Sequence, residues 1–334
     1  MTQRGKIRAL ALFSGGLDSM IAVKLMADQG VEVIALHIKI GFSGTKDVSK
    51  IMEERAKLAG AQFKIVDVRD EYIQNILFDP VYGYGKNFNP CIDCHGYMFK
   101  IAKKMMNELD ASFLVTGEVI GQRPMSQRHD AMKQVSKLAN DQEDKLILRP
   151  MSAKLMEETT PELKGWVDRE KLLDISGRSR ERQLAMAEAY GWEDYESPGG
   201  GCLLTESHYS DRIKEFISFD TFEVEDIELL KFGRHFRLPD GAKLAVGRDK
   251  EDNEGLQAIV SDKYVSLKLP VAGPFSLLSM NASESDRALA AKLAITYARS
   301  SAQESYDVKV GDESITVSPF PEKKEAQTYF FNAK

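Results

Sequence analysis

The sequence predicts an α/β fold, in which a doubly wound parallel-sheet domain is followed by a smaller α+β domain. The chain has 334 residues, enough for about two domains that each bury a core. Over the first 150 residues, apolar strand patterns alternate with helical patterns, which is typical of a parallel sheet with helical crossovers. From about residue 222 the pattern changes to short segments with turn signals such as Pro239-Asp240-Gly241.

The alternating region predicts its elements in order. We expect strands at residues 9–13, 31–40, 62–68 and 111–115, and helices at residues 19–29, 47–60 and 97–109. Gly30 and Gly60 stand where glycine commonly ends a helix. Residues 149–192 are predicted to be helical, with Pro161 in a first turn, and residues 319–334 to form a strand or an arm. Ligands of such sheets bind at the carboxyl ends of the strands.

Composition limits the class of protein. With 43% hydrophobic and 29% charged residues the chain is too apolar for a disordered protein. No apolar run approaches the roughly 18–20 residues of a membrane span, and the stretch at residues 9–13 is too short for a signal-peptide core. We therefore expect a cytoplasmic protein with no membrane partner. The net charge of −6 argues against a wholly basic nucleic-acid binder but leaves room for a local basic patch.

The motif SGGLDS at residues 14–19 lies between the first predicted strand and helix. Two glycines let the backbone approach an anion, and the helix start supplies N–H groups and a positive dipole end. The third glycine of the dinucleotide fingerprint and the lysine of the Walker loop are both missing, and a plain turn with a helix cap is the alternative interpretation. Asp18 is a candidate ligand for Mg²⁺ between phosphates. The candidate nucleotide-binding residues here are Ser14, Gly15, Gly16, Asp18 and Ser19.

A second polar loop, TGEVIGQ at residues 116–122, follows the strand at residues 111–115 and is continued by Ser126-Gln127. It therefore falls on the same sheet edge, and Gly117 and Gln122 are candidate nucleotide contacts. A polar loop without function is the alternative.

Three cysteines exclude a closed disulfide framework. Cys91 and Cys94 form a CxxC within NPCIDCH, residues 89–95, the segment that opens the helix predicted at residues 97–109. The start of a helix stabilises a thiolate, and two thiols at this spacing can face one metal centre. Cys202 follows the glycine-rich stretch at residues 197–201, a loop expected to bring it to the pair and to exclude water. A metal-free persulfide route and a structural zinc site completed by His95 are open alternatives.

These motifs resemble a known family. SGGLDS is similar to the PP-loop of the ATP pyrophosphatase superfamily, whose members split ATP between the α and β phosphates and adenylate their substrate. The TGE-x-x-GQ…SQ segment resembles that of tRNA 4-thiouridine synthetases, and NPCxxC resembles that of tRNA 2-thiouridylases. The resemblance covers approximately residues 7–205.

The resemblance implies a transferase, an ATP-dependent tRNA sulfurtransferase that adenylates a uridine and replaces its carbonyl oxygen with sulfur. We expect the PP-loop sulfurtransferase domain to span residues 1–210, and we favour 4-thiouridine over 2-thiouridine as the product. The implied cofactors are ATP, Mg²⁺ and a [4Fe-4S] cluster on three cysteines whose fourth iron is open to sulfide. The implied catalytic residues are Asp18, Cys91, Cys94 and Cys202, with the three cysteines as the metal ligands.

The chain also departs from that family. Because the first motif begins at Ser14, we expect no THUMP region before it, and we expect no rhodanese-like domain after it. We therefore expect a sulfur donor in trans, a cysteine desulfurase or free sulfide, and leave monomer and homodimer open.

Residues 231–250 contain six Lys or Arg against two Asp, interleaved with Phe232 and Phe236. Basic and aromatic residues together suit phosphate contacts and base stacking, although a solvated hairpin over a core is the alternative. The pattern resembles the RNA-binding domain of NFACT proteins, which we expect at residues 211–334. The candidate RNA contacts are Arg234, Arg237, Lys243 and Arg248.

Two further basic sites are candidate contacts. Arg149 is expected to touch phosphate or RNA, and the run Arg178, Arg180 and Arg182 is expected either to contact tRNA or to lie on a solvated helix face.

Two other classes of function stay open. A PP-loop amide or small-molecule ligase would need no redox-active cysteine. A non-catalytic RNA-binding protein would release no pyrophosphate from ATP.

Overall fold

A computed structural model of the chain describes residues 7–45, 47–196 and 201–331. The chain divides into two compact units. Unit 1 comprises Met1–Ile40 with Lys46–Gly201, and unit 2 comprises Gly41–Thr45 with Cys202–Lys334. No helix among the described residues is long and apolar enough to cross a membrane.

Unit 1 is built on a five-stranded sheet in which all neighbouring strands are parallel, in the order β3-β2-β1-β4-β5. The strands are β1 Arg8–Leu12, β2 Glu32–Lys39, β3 Ala61–Asp67, β4 Phe113–Thr116 and β5 Ile147–Leu148. The strand order changes direction between β1 and β4, the switch point at which doubly wound sheets bind ligands. The predicted α/β class is confirmed.

The helices of unit 1 are α1 Leu17–Ala27, α2 Ser49–Ala59, α3 Arg69–Tyr72, α4 Cys91–Met105, α5 His129–Leu138, α6 Thr160–Leu163 and α7 Glu181–Ala189. Eight of the eleven residues of α1 are buried, so this helix is held on several sides, by strands and by α2 and α7. Gly60 ends α2 at φ +95°, as predicted. The apolar side chains of α1 share one core with β1, β2 and β4.

Two predictions about this unit need correction. The helix expected at residues 97–109 begins at Cys91, so both cysteines of the CxxC lie inside its first turn. The continuous helix expected over residues 149–192 is replaced by α6, α7 and two 3₁₀ turns, Ala153–Leu155 and Arg169–Lys171. Gly165 and Gly177 adopt φ values of +64° and +83°, which interrupt a helix.

Unit 2 contains a six-stranded sheet whose neighbouring strands are antiparallel, in the order β11-β10-β8-β9-β7-β6. The strands are β6 Arg234–Arg237, β7 Lys243–Val246, β8 Tyr264–Lys268, β9 Ser276–Ser279, β10 Tyr306–Val310 and β11 Glu313–Val317. The helices are α8 Ser207–Ile217, α9 Val224–Leu229, α10 Lys250–Gln257, α11 Glu284–Thr296 and α12 Lys323–Ala326. The predicted α+β character is confirmed.

The core of unit 2 lies between one sheet face and α11, where Leu244, Leu278 and Val308 meet Leu293. The end of the chain differs from the strand or arm that was expected. It forms α12 and a 3₁₀ turn, Gln327–Tyr329, after which Phe330 pairs with Phe236 of the sheet and the Phe331 N–H donates to the His235 carbonyl at 3.1 Å.

Candidate functional site

The loop at residues 14–19 lies at the carboxyl end of β1 and leads directly into α1. Gly15 has φ +75°, a conformation that favours glycine, and Gly16 is the residue before the first turn of α1. The Ser19 hydroxyl donates to the Gly16 carbonyl at 2.7 Å, and Ser14 Oγ accepts from the Gly16 N–H at 3.4 Å. The two serines therefore brace a loop that presents the N–H groups of a helix start.

The second loop contacts the first. Gln122 Nε2 donates to Asp18 Oδ2 at 2.6 Å. A Cβ on Gly117 would lie 2.5 Å from the carbonyl carbon of Asp18 and 2.6 Å from the Ser19 nitrogen. Residue 117 must therefore be a glycine, because its backbone packs directly against the backbone of Asp18 and Ser19 and leaves no space for a side chain. The structure brings Asp18, Gly117 and Gln122 to one place.

Arg180 joins this site, which the sequence did not predict. Its Nη2 lies 3.5 Å from Asp18 Oδ1, so Asp18 has a basic partner from the loop before α7. The Nε and Nη1 atoms of Arg180 are buried and have no hydrogen-bond partner among the described residues. Unpaired guanidinium N–H groups beside an anion-binding loop are donors that an anionic ligand can satisfy.

A buried carboxylate connects this nucleotide-type loop with the cysteine helix. Glu118, next to Gly117, accepts from His95 Nδ1 at 2.7 Å and from Arg149 Nε at 2.9 Å. The side chains of Glu118 and Arg149 are 4% and 5% exposed. Burial opposes ionisation, but the charge of Arg149 and the hydrogen bond from His95 outweigh it and lower the pKa of Glu118 below its ordinary value. Arg149 therefore makes an internal ion pair, a role that the sequence did not indicate.

Replacing Glu118 by Gln should lower the free energy of unfolding by about 3 kcal/mol near neutral pH, because Arg149 then lacks its buried counter-charge. The lowered pKa fixes the sign of the pH dependence. The carboxylate contribution is fully present above the unfolded pKa of about 4.3 and is lost as the pH falls through the lower folded pKa. Urea unfolding of both proteins should therefore converge in strongly acidic buffer. A difference that grows with acidity would contradict this assignment.

The two cysteines of α4 differ in their surroundings. Cys91 is the first residue of the helix and partly exposed, and Asn89 Nδ2 donates to its sulfur at 3.1 Å. Cys94, three residues later in the same first turn, is buried. Asp93 accepts from the backbone N–H groups of Val81 and Tyr82 at 2.7 and 3.1 Å, which fixes the preceding loop on the helix start. The Asn89 amide is therefore a hydrogen-bond donor directed at the Cys91 sulfur.

The third cysteine, Cys202, belongs to unit 2 and is partly exposed. Residues 197–200 of the loop that was expected to carry it lie outside the described residues. Within the described ranges, no three His, Cys, Asp or Glu side chains form a group able to hold a metal ion. The three-cysteine ligand set therefore stays a prediction of the sequence. Asp18 does fit a Mg²⁺ that takes its remaining ligands from phosphate and water.

Two of the four expected RNA contacts are internal. Lys243 is fully buried, and its ammonium pairs with Glu215. Arg237 Nη1 contacts Asp220 at 2.8 Å, and Arg237 Nε lies 2.5 Å from Glu215. Burial lowers the pKa of Lys243 to about 8, against the opposing effect of Glu215. Lys243 is therefore wrong as a phosphate contact in this conformation, and Arg237 serves the same internal network.

The other two expected contacts lie nearer the surface. Arg248 is 49% exposed and pairs with Asp252 through Nε at 2.6 Å. The Arg234 guanidinium lies 4.7 Å from the ring centroid of Tyr297 and donates to the Gly247 carbonyl at 3.1 Å. Both side chains are engaged within the domain but not enclosed by it.

Replacing Lys243 by Met should lower the unfolding free energy by about 1–3 kcal/mol, because Glu215 keeps only Arg237 as its counter-charge. If unit 2 binds RNA, as the sequence predicts, this replacement should change the affinity less than about twofold, because the Lys243 side chain is fully buried. Parallel measurements of urea unfolding and RNA binding check both results. Weaker RNA binding at unchanged stability would restore Lys243 as a contact.

Comparisons with known proteins match the two units separately. Residues 4–158 match the family model described as thiamine biosynthesis protein (ThiI), and residues 233–330 match the model described as NFACT protein RNA binding domain. The resemblances of both parts of the chain are thereby confirmed.

Among curated relatives, a probable tRNA sulfurtransferase of Thermococcus kodakarensis is 33% identical over 120 residues, which is 36% of this chain and 31% of the relative. The tRNA-specific 2-thiouridylase MnmA 1 of Fusobacterium nucleatum is 30% identical over 120 residues, covering 35% and 32%. The chain thus spans about a third of the length of these relatives. A solved 4-thiouridine synthetase–RNA complex with bound ATP is 19% identical, covering 55% of this chain and 52% of that one, with a TM-score of 0.35.

Proposed function

We propose that this chain is an ATP-dependent tRNA sulfurtransferase that adenylates a uridine and replaces its carbonyl oxygen with sulfur. One observation carries the proposal. The Asp18 loop and the Gly117–Gln122 loop meet at the β1/β4 switch point, and Glu118 of the second loop is bonded to His95, the residue after Cys94. A nucleotide-type loop and a cysteine pair are therefore joined through one buried carboxylate.

ATP is the substrate that suits the first loop. The N–H groups at the start of α1 and the unpaired donors of Arg180 provide positive partners for its phosphates. Asp18 would hold Mg²⁺. When bound, this ion would neutralise negative charge on the phosphate oxygens of ATP. The Gln122 and Arg180 contacts fix the position of that carboxylate.

The first chemical step forms one bond and breaks one. The uridine carbonyl oxygen attacks the α-phosphorus of ATP, an O–P bond forms, and pyrophosphate leaves with the electrons of the α–β bond. The former carbonyl carbon of the uridine now carries AMP, which is a good leaving group. Excluding water from this intermediate keeps it from simple hydrolysis.

For the second step we infer a persulfide on Cys91, which is partly exposed and accepts a hydrogen bond from Asn89. A donor in trans, of the cysteine desulfurase class, supplies the outer sulfur. That sulfur attacks the activated carbon and AMP leaves. The Cys94 thiolate then attacks the Cys91 sulfur, which releases the thiocarbonyl and forms a Cys91–Cys94 disulfide. An external thiol reduces the disulfide for the next turnover.

The three-cysteine [4Fe-4S] centre is the alternative sulfur carrier, and it requires Cys202 as third ligand. The two routes differ in metal content. Anaerobically purified protein should contain less than one iron per chain on the persulfide route and about four on the cluster route. Iron and acid-labile sulfide assays distinguish them directly.

The product that we propose is 4-thiouridine, since the TGE-x-x-GQ…SQ segment is similar to that of 4-thiouridine synthetases. Chromatography and mass spectrometry of tRNA nucleosides from a deletion strain test both the activity and the modified atom. Loss of 4-thiouridine is the expected result. Loss of 2-thiouridine instead would show that the oxygen at position 2 of uridine is the one replaced by sulfur. Unchanged thionucleosides would overturn the proposed sulfurtransferase function.

We further propose that residues 1–210 form the catalytic domain and residues 211–334 the RNA-binding domain. The match of residues 233–330 to an RNA-binding family model supports the second assignment. tRNA is accordingly the partner of unit 2 as well as the substrate of unit 1.

A further inference from the structure

Two lysines face each other across neighbouring strands of unit 2. Lys309 of β10 lies directly opposite Lys268 of β8, and both side chains are exposed. In an antiparallel pair of strands, the side chains of directly opposite residues point to the same face of the sheet, with Cβ atoms about 4.5–5.5 Å apart. The next pair in the register, Val310 and Leu267, is buried in the domain core, so the lysines lie on the face away from that core.

This arrangement is unfavourable for folding on its own, because like charges placed directly opposite one another repel. Among the described residues no acidic side chain pairs with either lysine. The acidic neighbours have other partners, since Asp307 accepts from Thr316 at 2.6 Å and Glu313 lies 3.4 Å from Arg287. The two opposed lysines therefore have no acidic partner among the described residues.

The row continues onto the third strand with another donor. Ser314 of β11 lies opposite Lys309 and is exposed, so Lys268, Lys309 and Ser314 follow one line across three strands. At about 4.8 Å between strands, the line spans roughly 10 Å. Two ammonium groups and a hydroxyl on an exposed sheet face, with no large apolar side chain between them, suit phosphate oxygens.

We propose that Lys268, Lys309 and Ser314 form a contact site for the sugar–phosphate backbone of RNA, here called the lysine row. The inference rests on the proposed function, and it places the contact on β8, β10 and β11, the half of the sheet that ends at β11. The basic residues of β6 and β7 that the sequence favoured include Arg237 and Lys243, which belong to the internal network around Glu215. RNA, rather than an acidic protein, is the partner, because both lysines lie within the segment that matches an RNA-binding model.

The test uses the full chain and unmodified tRNA. Lys309→Glu should weaken tRNA binding at least tenfold at physiological salt, and Lys268→Ala/Lys309→Ala should reduce the slope of log affinity against log salt by about 1.4–1.8. Lys324→Glu is the matched control, an exposed lysine of the same unit with the same change in charge. It should change the affinity less than threefold.

A stability measurement separates a ligand site from a structural role. Lys309→Glu turns a repulsive cross-strand pair into an attractive one, so the melting temperature should rise by about 1–3 °C while RNA binding falls. Equal tRNA affinity for wild type, Lys309→Glu and Lys324→Glu would overturn the lysine row and leave the proposed function standing. Selective loss of binding to an acidic protein, with tRNA binding unchanged, would overturn it too. A wild-type protein that neither binds nor thiolates tRNA would overturn the proposed function itself.

Discussion

Cys91→Ser is expected to lower the rate of thiouridine formation by at least about 10³-fold while pyrophosphate release from ATP continues. The serine keeps the start of α4 and the Asn89 contact but cannot carry a transferable sulfur. The adenylation site is built from other residues, so the first step should persist with tRNA and ATP. A combined assay of thionucleoside and pyrophosphate separates the two steps.

Two further variants control this experiment. Cys94→Ser should also stop multiple turnover, because no second thiolate then resolves the intermediate, but it should leave tRNA attached through a mixed disulfide at Cys91. Cys202→Ser should retain most of the activity on the persulfide route. Loss of activity together with bound iron in Cys202→Ser would instead support the three-cysteine cluster, and full activity in Cys91→Ser would contradict a sulfur-carrying role.

Gly117→Ala is expected to weaken ATP binding by about 100-fold. The added Cβ would lie 2.5 Å from backbone carbon of Asp18, and backbone cannot move aside as a flexible side chain does. The two loops must separate, which moves Asp18 away from Gln122 and disturbs the start of α1. Equilibrium binding of ATP or a non-hydrolysable analogue measures the loss.

Gly44→Ala is the control for the Gly117 variant, because a Cβ there meets no atom within 4 Å and its φ is not in the left-handed region. It should bind ATP like the wild type. Circular dichroism establishes that Gly117→Ala still folds. A folded Gly117→Ala protein with wild-type ATP affinity would show that the second loop does not support the nucleotide site.

The sheet of unit 1 was largely predictable because its strands are apolar runs separated by helical patterns. The exception is β5, whose two residues are too few to show a period. The start of α4 at Cys91 was missed for a related reason. A proline, an asparagine and a CxxC give little helical periodicity, and the helix start is instead fixed by tertiary contacts such as Asp93 with the loop at Val81.

The site was predictable in its loops and not in its charge network. SGGLDS and TGEVIGQ are local motifs at strand ends, so Asp18 and Gln122 could be placed on one sheet edge. The Glu118–Arg149 and Asp18–Arg180 pairs join residues 31 and 162 positions apart, and such distances leave no local pattern. A glutamate inside a strand-end loop motif was the one available signal for Glu118.

The basic segment at residues 231–250 shows how a charge count can mislead. Arg237 and Lys243 are cross-strand partners, and both project onto the sheet face where Glu215 lies. Counting charge along the sequence does not distinguish the two faces of a strand. The lysine row was missed in turn because Lys268 and Lys309 are far apart in sequence and become neighbours only through the β8–β10 pairing.

Isotope transfer tests the central claim most directly. tRNA carrying ¹⁸O at the target uridine carbonyl is incubated with the purified full chain, ATP, Mg²⁺ and a persulfide donor, and the AMP and nucleosides are analysed by mass spectrometry. If the uridine oxygen attacks the α-phosphate, each thiouridine formed is matched by one AMP that contains ¹⁸O. Unlabelled AMP with no thiouridine would show that the activated group is not the uridine of tRNA.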